Sequence, residues 1–212
     1  EKKLITDHHS TKLSYSPNSG SQPIDKHGYF IQKSIKCLDL LGEWFYDVNN
    51  STFYMYFGSS IPTNHIVKIS TIDRLISISS QNYITIDNIK CEGANLNAIS
   101  SSQSNNIIIQ NCEIDFSGNY AIYSSNWSTN HIIDNCTINH TNNIAIEYYN
   151  FSSNVNIRNC NIFNTGLNPG MLGTGGSGDA IIFWCDNSIA EYNQIINTGY
   201  IGIFFRTCSN VL

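Results

Sequence analysis

The chain has 212 residues, 41% of them apolar and only 13% charged, with a formal net charge of −5. That apolar content supports a packed core and excludes wholesale disorder. An acidic balance without a basic stripe argues against nucleic acid as a partner, and no apolar run is long enough to span a membrane.

Residues 1 to 35 are polar and weakly patterned, and read as an irregular lead-in. Glu43-Trp44-Phe45-Tyr46-Asp47 and Thr52-Phe53-Tyr54-Met55-Tyr56-Phe57 flank Val48-Asn49-Asn50-Ser51, which predicts an antiparallel hairpin. Such a hairpin suits the cap of a domain whose end would otherwise expose raw strand edges. Ile66-Val67-Lys68-Ile69 and Leu75-Ile76-Ser77-Ile78 read as the first strands of a repeat domain. The expected division is therefore a lead-in and hairpin cap over 1–65 and the repeats over 66–212.

From Asn82 onward the chain repeats itself. Ile84-Thr85-Ile86-Asp87-Asn88, Ile107-Ile108-Ile109-Gln110-Asn111, His131-Ile132-Ile133-Asp134-Asn135 and Val155-Asn156-Ile157-Arg158-Asn159 align, with a fifth copy from Ala190 to Ile195. About ten residues after each comes a small-then-apolar pair: Ala98-Ile99, Ala121-Ile122, Ala145-Ile146, Ala180-Ile181 and Gly202-Ile203. Of 29 asparagines, 25 lie between Asn82 and Asn210, where they mark corners, because Asn tolerates left-handed backbone. No segment holds a 3.6-residue period for three turns. Each repeat is expected to hold three short strands whose inward residues are buried only when coils stack. This predicts an all-β, right-handed parallel β-helix (a solenoid). The final residues stop inside a repeat and no signal peptide precedes Glu1, so the chain reads as a piece of a longer protein.

Seven cysteines cannot all pair with one another, and no CxxC or Cys/His cluster marks a zinc site. Cys112, Cys136 and Cys160 recur every 24 residues, which marks a repeat position and a buried small hydrophobe. Cys185 and Cys208 read as a second such pair. Asn111, Asn135 and Asn159 are expected to stack their amides up one edge.

The coils resemble the right-handed parallel β-helix repeats of the pectate-lyase-like superfamily. Gly28-Tyr29-Phe30-Ile31-Gln32, then Leu41-Gly42-Glu43-Trp44-Phe45-Tyr46-Asp47 and the Thr52 to Phe57 strand, resemble the lead-in of secreted bacterial β-helix proteins, many of them from polysaccharide-degrading bacteria. The resemblance covers residues 28–212. It implies a fold more firmly than an activity, since lyases, hydrolases, epimerases and adhesins share the coil. It also implies a location outside the cytoplasm: secreted, at the cell surface or periplasmic. In that superfamily the groove usually follows the strand opened by the Ala-Ile pair.

With Ile99, Ile122, Ile146, Ile181 and Ile203 inward, alternation puts Ser100, Tyr123, Glu147, Ile182 and Phe204 outward. Two residues on, Ser102, Ser125, Tyr149, Trp184 and Arg206 also face out. Ser101, Ser124, Tyr148, Phe183 and Phe205 form the inward stack between them. Rings beside a carboxylate and a guanidinium suit sugars, stacking on pyranose faces while charged groups take hydroxyls or uronate carboxylates. Glu147, Asp179 and Arg206 are the candidate catalytic residues; Tyr123, Tyr149 and Trp184 are the candidate substrate platforms. The Gly-rich insertion from Gly166 to Gly178 delivers Asp179 to the mouth of the fourth strand, and it is no phosphate loop, lacking the Lys-Ser/Thr ending. His131 is read as packed near a corner, His140 as structural and Trp127 as a corner cap.

Two functions from different classes are consistent with these residues. One is a secreted carbohydrate-active enzyme, working as a monomer on an acidic or plant, algal or host polysaccharide. As a hydrolase it would use Glu147 and Asp179 as paired carboxylates. As a lyase it would neutralise a uronate with Arg206, or with Ca²⁺ held by Glu147 and Asp179, though no Lys lies on the groove to serve as base. The other is a glycan-binding or surface-adhesin segment without catalysis.

Overall fold

The computed structural model describes residues 3–16, 31–168, 171–172 and 178–212. The chain divides into two compact units, Glu1–Lys68 and Ile69–Leu212.

In the first unit the lead-in departs from expectation. Strands Leu4–His9 and Lys12–Ser16 pair antiparallel, turning at Ser10 with φ 49°. Leu4 to His9 are all exposed, which explains why no apolar alternation announced this hairpin. Gly28–Phe30, part of the family-like lead-in, lies outside the described residues. The expected hairpin is present as Trp44–Asp47 paired with Thr52–Met55. Its turn is held by Asp47, whose carboxylate accepts from the Asn49 backbone N–H at 2.9 Å and the Asn50 amide at 2.7 Å. Trp44 stacks on Phe53 and Phe45 on Tyr54, a cross-strand pair on each face. The strand expected at Ile66 to Ile69 is not formed: Ile66 is 92% exposed and the first parallel strand is Arg74–Ser79. An apolar dipeptide without a neighbour to pair with has nothing to bury it.

The second unit is a parallel β-helix with three faces. Face one stacks Arg74–Ser79, Asn97–Ser102, Tyr120–Ser125, the first part of Ile144–Arg158, Ile181–Asp186 and Ile203–Phe205, all parallel. Face two stacks Thr85–Asp87, Ile108–Gln110, Thr129–Asp134, the last part of Ile144–Arg158 and Ile189–Glu191. Face three is a five-stranded sheet of Lys90–Ala94, Glu113–Ser117, Thr137–Thr141, Asn161–Thr165 and Gln194–Thr198.

The register explains the columns seen in the sequence. Ile99, Ile122, Ile146 and Ile181 form one inward column, Ile86, Ile109, Ile133 and Ile157 a second, and Cys91, Ile114, Ile138 and Ile162 a third; all are buried. Each such isoleucine contributes about 1.5–3 kcal/mol of burial. Cys112, Cys136 and Cys160 are free thiols packed at a corner, each donating to backbone carbonyls. The amide ladders run up several corners: Asn135 donates to Asn111 at 2.8 Å, Asn154 to Asn130 at 3.1 Å and Asn150 to Asn126 at 2.8 Å. Asn159 differs, donating to Asp134 instead of Asn135.

Candidate functional site

Face one carries the site. Ser77, Ser100, Tyr123, Glu147, Ile182 and Phe204 fall in one register row. The inward stack beside it is buried at Ser101, Ser124, Tyr148 and Phe183, whereas Phe205 and Ile203, on the last rung, are 37% and 36% exposed. Ser101 donates to Ser124 across the coils at 2.8 Å, so even the polar members of this stack are paired.

Glu147 was expected on an exposed strand face and is 7% exposed. Burial is the main influence on its carboxyl and pushes its pKa up from the ordinary 4.5; hydrogen bonds from Tyr120 and Trp184 and the charge of Arg206 oppose that, while the charge of Asp179 adds to it. The result is a carboxyl that holds its proton to higher pH than a solvated glutamate. Tyr120 comes from the coil before and Trp184 from the coil after, so the site is made by stacking and by no single repeat. Tyr120 stacks on Tyr123, with centroids 4.8 Å apart. Both phenols are pushed above their ordinary value by burial and then by the Glu147 charge, and remain donors at neutral pH.

The six residues singled out from the sequence are brought together. Tyr149 meets Trp184 edge-on, with centroids 5.0 Å apart, and the Arg206 guanidinium lies 3.9 Å from the Trp184 ring centroid. Arg206 is exposed, and a guanidinium can pair with a carboxylate or sulfate while it lies over a ring. Asp179 is fully buried and accepts from the Ile201 backbone N–H at 2.9 Å, so it reaches Glu147 through its charge. Gly166 and Gly178 close the neck of the insertion: a β-carbon on Gly166 would collide with the Gly178 backbone. Pro169, Gly170 and the 173–177 stretch of that insertion lie outside the described residues.

Tyr120 and Asn97 are not among the residues that the sequence singles out. Both precede an Ala-Ile pair, and strict alternation from the isoleucine sends them inward. Tyr120 instead lies over Tyr123, and Asn97 donates to Ser100 at 3.1 Å. The i, i+3 recurrence of Asn97/Ser100, Tyr120/Tyr123 and Ile144/Glu147 is the signal that could have found them.

The two histidines and Trp127 sort differently. His131 is buried in the core: Nε2–H donates to the Ser104 carbonyl at 2.8 Å, so Nδ1 accepts from the Tyr148 hydroxyl at 3.1 Å. Burial lowers its pKa, with the Ser104 carbonyl opposing. His140 stacks on Phe116 and pairs with Asp115 at 2.9 Å. Trp127, expected as a corner cap, is in a corner turn, 63% exposed, and stacks on Phe151.

Calcium does not fit here. A Ca²⁺ site takes six to eight oxygens and several carboxylates. Glu147 and Asp179 are both buried, and among the described residues no group of three or more His, Cys, Asp or Glu could hold a metal. No helix among the described residues is long and apolar enough to cross a membrane.

Comparison with known proteins gives one match, to the family described as a right handed beta helix region, over residues 45–182. No curated protein and no solved structure matches the chain. The match spans more than half of the sequence and takes in the stacked coils from face one's first strand as far as Ile182, so the chain belongs to the right handed beta helix family.

Proposed function

We propose that this β-helix is a carbohydrate-active protein that holds an acidic polysaccharide along face one and cleaves it there, outside the cytoplasm and as a monomer. The observation that carries the reading is the carboxyl of Glu147, buried amid Tyr120, Trp184 and Arg206 with its pKa raised, at a register position that Tyr123 and Ile182 occupy in the adjoining coils. A carboxyl with a raised pKa is suited to hand a proton to a glycosidic oxygen as the bond to the leaving sugar breaks and water adds to the sugar carbon, ending as carboxylate. Trp184 and Tyr149 offer apolar surface to pyranose rings, and Arg206 a partner for a uronate or sulfate.

Asp179 in this reading adds through its negative charge to the rise in the Glu147 pKa that burial produces. Its complete burial supports a second reading, non-catalytic glycan binding, because a second carboxylate free to meet water or sugar is then lacking. One assay separates the two. The protein is incubated with polygalacturonate, alginate and xylan, followed by ultraviolet absorbance for unsaturated ends and by reducing-sugar release, for wild type and Glu147→Gln. Cleavage by wild type and a drop of about a hundredfold or more in Glu147→Gln is expected. Unsaturated ends identify elimination, and reducing ends alone identify hydrolysis. Binding without either product, unchanged in Glu147→Gln, leaves the binding reading standing and removes the enzyme.

A further inference from the structure

The turn from face one to face two is not the same in every coil. Ser102 and Asn105 are registered with Ser125 and Thr129, so the turn after Tyr120–Ser125 holds one extra residue. In the next coil Tyr148 and Ser152 are registered with Phe183 and Cys185, two residues more than the coil after it. Both enlarged turns read Asn-aromatic-Ser: Asn126-Trp127-Ser128 and Asn150-Phe151-Ser152. In each, the Asn and the aromatic both have positive φ, 56° and 64° in the first and 58° and 63° in the second. Each turn is fastened by its serine, which donates to the carbonyl three residues back: Ser128 to Ser125 at 2.9 Å, Ser152 to Tyr149 at 3.1 Å. The asparagines ladder from Asn150 to Asn126 to Ser102.

These built turns hold out a pair of rings. Trp127 and Phe151 are each 63% exposed and stack with centroids 4.6 Å apart and planes 15° from parallel. Left-handed backbone is unfavourable for bulky side chains, and exposing two large rings adds a second cost. Neither ring belongs to the core. The pair sits on the two coils that supply Tyr123, Glu147 and Tyr149, at the far end of those strands from the Gly166 to Gly178 insertion. Because the turns before and after are shorter, each ring keeps its outer face uncovered by a like ring. Trp127 faces the coil of Gln103, and Phe151 the coil of Asn187.

We propose that Trp127 and Phe151 form a glycan-stacking subsite, taking sugar residues that flank the one held at Glu147. This rests on the reading of face one as the polysaccharide face. Flat apolar rings, presented rigidly and in pairs beside that face, match the apolar faces of pyranoses in an extended chain.

The test uses Trp127→Gly, Phe151→Gly and the double variant, since glycine accepts the positive φ without strain. Thermal unfolding of these variants should match or exceed wild type. Calorimetric titration with polygalacturonate and alginate oligomers of increasing length is the readout. The double variant should bind long oligomers about three- to tenfold more weakly while binding di- and trisaccharides as wild type does. If long oligomers bind the double variant undiminished while Trp184→Ala weakens them, the subsite is overturned and the face-one reading stands. Absence of binding by wild type overturns both. A wild-type dimer in solution that the double variant abolishes, with oligomer binding unchanged, makes the rings a protein contact and also overturns the subsite.

Discussion

Glu147 is the residue at which burial and function pull apart. Its pKa is raised above the ordinary 4.5, first by burial, so the folded chain binds a proton that the unfolded chain releases. A raised folded value means full stability below the unfolded pKa and a progressive loss as pH rises through the folded one. Glu147→Gln keeps the shape and removes the titration. Its melting temperature should therefore exceed wild type at pH 7 and converge with it below about pH 4. Circular dichroism melts across that range are the check, and a variant less stable than wild type at pH 7 would remove the strained-acid argument. The candidacy of Glu147 was legible because it is the charged residue in a register row otherwise of Ser77, Ser100, Tyr123, Ile182 and Phe204. Its burial was not legible, because it is made by groups from other coils, and of Tyr120 and Trp184 only Trp184 was assigned to the outward face from the sequence.

At the scale of elements the corners decide the geometry. Strands are short, and what turns the chain is a residue in left-handed backbone, most often asparagine: Asn88, Asn111, Asn135 and Asn159 occupy one corner with φ between 51° and 55°. The asparagine both tolerates that backbone and spends its amide on the neighbouring coil. Asn135 donates to Asn111 at 2.8 Å, so Asn135→Ala should lose the hydrogen bond and strain the corner, costing about 1–2 kcal/mol. Asn135→Gly loses the hydrogen bond alone and should cost less in urea melts; equal losses would mean that the backbone preference contributes nothing. These corners could be read directly from the sequence. Those built on Phe116, Phe151 and Tyr192, which also have positive φ, could not, and at His140 and Trp127 the corner was legible but not the left-handed backbone. Nothing in an aromatic side chain announces such backbone. The Leu4–His9 and Lys12–Ser16 hairpin was missed for the opposite reason, since its exposed strands need no apolar alternation.

The whole molecule is a sum of contacts between neighbouring coils, and that sum has a gradient. Ile114, Ile138 and Ile162 lie in one column with a coil on either side and are fully buried, while Ile195 on the last strand of face three is only half-buried. The column itself was legible from the period alone, because a residue that recurs with each coil must stack on its own copy. The burial gradient was not, since it depends on what covers each end. In a solenoid each coil is stabilised by the interfaces on its two sides, so the same deletion should cost different amounts along the stack. Ile138→Ala removes side-chain atoms between two covered neighbours and should lose about 2–5 kcal/mol. Ile195→Ala, chemically identical, should lose markedly less because its surroundings can relax toward solvent. Urea unfolding followed by circular dichroism measures both, with the slope of the transition as a second readout. If Ile195→Ala frays the last coils before the rest, its transition should broaden while that of Ile138→Ala stays single and shifts to lower urea. Equal losses with unchanged slopes would instead describe one indivisible cooperative unit, in which the site on face one could not loosen without the molecule unfolding.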